Sequence, residues 1–245
     1  MKSGLLLFHQ GWTDIFNCFG MVTYYSRIYD KLFIVCRSDS KPLVDFYCKQ
    51  YKNIKNYYLP MEICHMIPSL DDYIGIFQLP DNIECVGIGQ YSEFRTDNIK
   101  HPPLTKHFWL DFYRLFNMDP IIRLRNFEIT RDNVLENIKY QKHVNKTWKN
   151  YRLYHDCDSA KIPRDYSMPL LELGKLTDNL FFDTIKILEN AYEMYLIDSV
   201  WAMFTYLLDY KYGLFNTKNI KIKVFAKRGY NDMFLDPKLP NWEII

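Results

Sequence analysis

The sequence predicts an α/β protein of two halves, each organised on a parallel sheet. Two observations predict it. Short continuous apolar runs alternate with helix-like segments, the mark of parallel strands buried on both faces. That alternation occurs twice, before and after about residue 130, and a polar, charge-rich segment, Arg131–His143, separates the two stretches. Two Rossmann-like halves facing a cleft are the simplest architecture; one continuous doubly wound sheet is the competing arrangement. The expected division is residues 1–127 and 128–245.

Each element has its own reason. Gly4–His9 is a continuous apolar run and reads as a buried strand. Gln10-Gly11 turns the chain, Thr13 is placed to cap, and Asp14–Tyr25 has apolar residues at helical spacing. Leu32–Cys36 is a second buried strand. Ser40 then caps a helix with Pro42 in its first turn, running to about Tyr51. Asn56–Leu59 is a third strand, and the apolar runs Tyr73–Leu79 and Cys85–Gly89 read as two more. His101-Pro102-Pro103 breaks the pattern before an aromatic helix, Leu104–Met118, which Asp119-Pro120 ends. After the polar helix come strands Tyr151–His155 and Pro169–Leu173, a helix Phe182–Asn190 and a strand Met194–Ile197. A helix Val200–Tyr210, a strand Ile220–Ala226 and a last strand Trp242–Ile245 follow.

Composition bounds the function. The chain has 245 residues, 48% of them hydrophobic and 24% charged, which excludes intrinsic disorder. Thirty-one basic residues nearly balance 29 acidic ones for a net charge of +2, without the basic excess of a general nucleic-acid binder. The longest apolar runs are too short to span a bilayer, and the N-terminus turns polar too early for a secretory signal. Six scattered cysteines without a CxxC pair read as small buried hydrophobes in a reducing compartment. Together these point to a cytoplasmic protein. A high content of Asn, Lys, Tyr and Ile suggests an AT-rich genome, bacterial or viral, and a viral protein would work in the host cytoplasm.

In parallel α/β sheets ligands gather at the carboxyl ends of strands, where strand order reverses. Three turns lie there. His9-Gln10-Gly11-Trp12-Thr13-Asp14 joins the first strand to a helix start whose amides and dipole face the same space. Those amides would hold the Asp14 carboxyl low, and burial beside Trp12 would offset them. His155-Asp156-Cys157-Asp158 follows a strand of the second half, without a second His at metal-ligand spacing. Asp198-Ser199-Val200 opens a helix, where Ser199 either caps it or bonds a phosphate. Arg37, Arg95 and Lys227-Arg228 follow strands and are candidate anion partners. None of these is GxGxxG or a P-loop, so a conventional NAD or ATP site is unsupported.

The segments FHQGWTDIFNCFGMVTYYSRIYDKLFIVCR (8–37), YRLYHDCDSAKIP (151–163) and LFFDTIKILENAYEMYLIDSVWAMFTYLL (180–208) resemble GT-B-type glycosyltransferases of viruses and bacteria. The shared pattern is a strand ending in His-Asp, then Glu-Asn-Ala, then a strand ending in Asp-Ser. The resemblance covers most of the chain, and a more distant one is to the heptosyltransferases. It implies a metal-independent, inverting transferase that takes a nucleotide-sugar donor and a glycan or other hydroxyl acceptor. Asp14 matches the catalytic base, although Trp12 and Thr13 replace the usual compact turn. Asp198, Ser199 and Val200 match the donor-phosphate turn, with the bulky Val200-Trp201 in place of small residues. His155 and Asp156 would contact nucleotide or sugar. His9, Gln10, Gly11, Trp12 and Arg37 would line the acceptor side. No cofactor beyond the co-substrate is implied. Asp156-Cys157-Asp158 spells the motif of the metal-dependent transferase fold, which is the rival enzyme reading. A non-catalytic nucleotide- or glycan-binding module of the same fold is the alternative outside enzymes.

Overall fold

The computed structural model describes residues 1–8, 11–64, 67, 69–88, 108–157, 161–176, 181–226 and 239–245. The chain divides into two compact units, Met1–Ile129 and Thr130–Ile245.

Unit 1 holds a four-stranded parallel sheet: β1 (Ser3–Phe8), β2 (Lys31–Arg37), β3 (Ile54–Leu59) and β4 (Glu84–Ile88), in the order β3-β2-β1-β4. The apolar run Leu5–Phe8 makes β1 fully buried at the centre. Its helices are α1 (Trp12–Ser26), α2 (Lys41–Cys48), α3 (Met61–Cys64), α4 (Leu70–Phe77), α5 (Phe108–Arg114) and α6 (Ile122–Arg125). Pro42 opens α2 as its sequence predicts, but the Ser40 side chain makes no capping bond. Gly11, not Thr13, occupies the N-cap position of α1. Helix α1 crosses α6 at Gly20, where an added Cβ would lie 2.4 Å from the Ile122 carbonyl oxygen.

The run Tyr73–Leu79 is not a strand but most of α4. Ser69 caps that helix by accepting a bond from the Asp72 amide, and acidic Asp71 and Asp72 fill the first turn. Gln78 ends it in the left-handed conformation. A cap and a dipole-matched first turn outweigh the β-like apolar run.

Unit 2 begins with α7 (Asn133–His143) and holds a five-stranded parallel sheet. Its strands are β5 (Arg152–His155), β6 (Leu170–Glu172), β7 (Glu193–Ile197), β8 (Lys221–Phe225) and β9 (Trp242–Ile244), in the order β6-β5-β7-β8-β9. Residues Phe182–Leu188 form a tight 3₁₀ turn running into α8 (Ile185–Leu188), and α9 (Val200–Tyr212) joins β7 to β8. One face of this sheet is apolar up to His155 at the end of β5: Leu153, Met194, Leu196, Ile222 and Val224 are fully buried. The other carries a polar ladder, in which Glu193 accepts bonds from Arg152 and Tyr195 and pairs with Lys223. The buried Asp209 side chain ties the C-terminal end of α9 to β9, accepting bonds from the Phe215 and Asn216 amides and the Trp242 indole. Among the described residues no helix is long and apolar enough to cross a membrane.

Candidate functional site

In unit 1 the carboxyl end of β1 leads through Gly11 into α1, placing Trp12 and Asp14 in the first turn. Asp14 is 8% exposed. Burial raises its carboxyl, a hydrogen bond from Gly11 pulls the other way, and burial wins, lifting it to about 7. The sequence sets helix-start amides against an offsetting burial, and here burial more than offsets them: the helix start supplies one bond, while burial desolvates the whole group. Gly11 is exposed, and a Cβ there would stand 4.0 Å from an Asp14 oxygen, in ordinary contact. One turn along, the buried Asn17 bonds to the Thr13 carbonyl and accepts from Arg123, which stiffens the start of α1. Arg37 stands at the carboxyl end of the neighbouring β2, but its guanidinium is engaged by Asp39 on the next turn. His9 and Gln10 lie outside the described residues, as do Arg95, Lys227 and Arg228.

In unit 2 the order β6-β5-β7-β8-β9 puts the reversal of strand order between β5 and β7, all strands running parallel. The first strand of the unit pairs there with its third, which is the switch point where α/β sheets place ligands. His155 ends β5 opposite Leu196 of β7, and Ser199 opens α9 two residues after β7. Their side chains meet: Ser199 Oγ lies 3.0 Å from His155 Nδ1. Ser199 therefore sits at an N-cap without capping, and no side-chain capping bond is made there. The amides of Val200, Trp201 and Ala202 precede the first intrahelical acceptor, so the helix gives them no partner. Trp201 is buried against Phe181 and Phe204, and its ring lies 6.4 Å from that of His155, so it backs the His155 side of the turn. Asp198 is buried at the same strand end.

Asp156 is buried beside this pair but already engaged. Burial alone would raise its carboxyl, yet Arg164 at 3.1 Å and Lys161 at 3.5 Å outweigh it and hold it below the usual range. Arg164 in turn stacks over Tyr154, whose hydroxyl donates to Glu172 at the end of β6. Sequence reasoning missed Arg164, Glu172 and Gly174. The last sits against His155, 3.9 Å from its ring when given a Cβ. Their signal was weak, since Arg164 lies in a connection without periodicity and Glu172 and Gly174 fall at the end of a short strand and the turn after it, where no motif marks them. Among the described residues no group of three or more His, Cys, Asp or Glu is placed to hold a metal ion; Asp158 lies outside them.

No protein-family model matches the chain. No curated protein matches it in sequence. Among solved structures it is similar to E. coli ADP-heptose LPS heptosyltransferase II, with a TM-score of 0.53 and 9% identity. That likeness covers 100% of this chain and 90% of the other. E. coli heptosyltransferase WaaC with ADP-2-deoxy-2-fluoro heptose aligns over 99% of this chain and 92% of its own, at a TM-score of 0.42 and 7% identity. The fold is α/β with two parallel sheets, of the GT-B kind.

Proposed function

We propose that the protein is a glycosyltransferase that moves a sugar from a nucleotide-sugar donor to a hydroxyl acceptor, without a metal ion. One observation carries the reading: at the β5–β7 switch point the N-cap serine turns to His155 and leaves the first amides of α9 open. Open amides at a helix start, with a hydroxyl beside them, form a seat for a diphosphate. The whole-chain likeness to heptosyltransferase II supports the class, at the level of fold. Ser199 and the amides of Val200 and its neighbours would take the charge of the departing nucleoside diphosphate. Preorganised donors there replace a metal. His155 and Asp198 would line the same seat, and Asp156 would fix Arg164 beside it.

The base would be Asp14. A carboxyl lifted to about 7 holds a useful fraction of carboxylate at neutral pH and accepts a proton far better than an ordinary aspartate. The acceptor oxygen would attack the anomeric carbon and pass its proton to Asp14. The bond to the diphosphate breaks with its electron pair leaving on the phosphate oxygen, and the configuration inverts. Gly11 and Trp12 would border the acceptor, and Arg37 would act only indirectly, through its pairing with Asp39.

The test is turnover of mass-tagged nucleotide-sugars by wild type and Asp14→Asn in the presence of EDTA. We expect product from one donor, insensitive to EDTA, and a fall of about 10²–10⁴-fold in the variant. Nucleotide binding without any turnover would leave a binding module instead.

A further inference from the structure

Helix α7 is built with its polarity reversed. Its buried residues are charged: Glu136 is 1% exposed and Lys139 7%. Glu136 pairs with Arg131, which also bonds Glu189, and Lys139 pairs with Asp183 at 3.3 Å. Lys186 completes the contact, bonding Asn137 and lying over the Tyr140 ring. The helix is thus held to unit 2 by ion pairs and polar bonds. Its apolar residues point the other way: Val134 is 69% exposed, Leu135 41% and Ile138 59%. At 100° per residue Val134, Leu135, Ile138 and Lys142 share one side of the helix. Lys142 is exposed there, and exposed Lys146 and Lys149 follow directly after the helix. Glu136 is the one acidic residue between Asn133 and Asn150, and it is buried, so the exposed charge of the segment is entirely positive.

We propose that this face of α7 docks on an anionic lipid surface, with Val134, Leu135 and Ile138 entering the headgroup boundary and Lys142, Lys146 and Lys149 meeting lipid phosphates. A helix with an apolar side and cations along its edge is suited to lie in that interface. The size of the patch argues against a protein partner: a stable interface needs about 800 Å² from each side, and three side chains on an 11-residue helix fall well short. Cations without exposed acids also make poor self-complementarity, which disfavours a second copy of the chain. The proposal is independent of the glycosyltransferase reading.

The test is co-sedimentation of the full chain with phosphatidylglycerol–phosphatidylcholine vesicles and with phosphatidylcholine alone. We expect binding to the anionic vesicles only, weakened by salt. The doubly substituted Val134→Ser, Ile138→Ser chain should bind roughly tenfold or more weakly. Replacing Lys142, Lys146 and Lys149 by alanine should weaken binding on the order of a hundredfold. All these positions are exposed, so melting temperatures should match wild type. No binding to anionic vesicles overturns the proposal, as does binding that neither set of substitutions changes. A lipid-free dimer seen by sedimentation velocity and dispersed by Ile138→Ser would also overturn it, assigning the face to a second copy.

Discussion

At the scale of single residues, burial sets the chemistry of Asp14. Its carboxyl ionises near 7 in the folded chain against 3.8 unfolded. The folded state therefore favours the protonated form. That contribution is fully present below about pH 3.8 and is lost as pH rises through 7. The difference is worth about 4 kcal/mol. Asp14→Asn should thus match wild type in stability at pH 4 and exceed it by up to about 4 kcal/mol at pH 8. Denaturant unfolding at the two pH values measures this. Equal stabilities at both would show the carboxyl to be ordinary. Turnover of wild type should rise with pH through about 7, because the base acts as carboxylate. Ser199 offers a second reading at this scale. Without His155 its hydroxyl is free to cap α9, so His155→Ala should slow amide exchange at Trp201 or Ala202 and keep or raise stability by up to about 1 kcal/mol. Unchanged exchange would mean that His155 does not hold the hydroxyl away. The candidate turns at Asp14, His155 and Ser199 were legible from sequence because each follows an apolar strand and opens a turn. Their energetics were not, since the desolvation of Asp14 and the Ser199–His155 contact come from neighbours distant in the chain.

At the scale of elements, strands were read most reliably where their residues are fully buried. Leu5–Phe8 and Leu32–Cys36 are buried along both sides of the sheet, and a continuous apolar run states that directly. Leu70–Phe77 shows where the reading fails. Tyr-Ile-Gly-Ile-Phe has β-like composition, but the signal that decides it lies before it, in Ser69 and Asp72. Ser69→Ala should therefore cost about 1 kcal/mol, measured by denaturant unfolding, whereas the same change before a strand would cost nearly nothing. The α1–α6 crossing is as specific. Gly20→Ala would drive a methyl into the Ile122 carbonyl, and backbone cannot yield as a side chain can. We expect a loss of about 1–3 kcal/mol. A stability equal to wild type would mean that α6 shifts freely. The polarity of α7 was hidden because its charge-rich sequence names a polar helix without saying which side is buried. The ion pairs of Glu136 with Arg131 and of Lys139 with Asp183 decide that, with Arg131 itself held by Glu189.

At the scale of the whole molecule, two parallel sheets arise from one pattern used twice, and each orders its strands so that the first of the unit is flanked on both sides. Each unit thereby has a carboxyl edge of the kind where parallel α/β sheets seat ligands, with Asp14 at one and the His155–Ser199 pair at the other. The proposed transferase activity depends first on the second, because a transferase needs a donor seat before it needs a base. The direct measurement is nucleoside diphosphate affinity by calorimetry, over GDP, UDP, ADP and dTDP, for wild type and Ser199→Ala. A donor seat at Ser199 requires that at least one nucleotide binds wild type and that Ser199→Ala weakens it by about 1–2 kcal/mol, roughly tenfold, as befits a lost phosphate bond. No binding by wild type, or equal affinity in the variant, would contradict it.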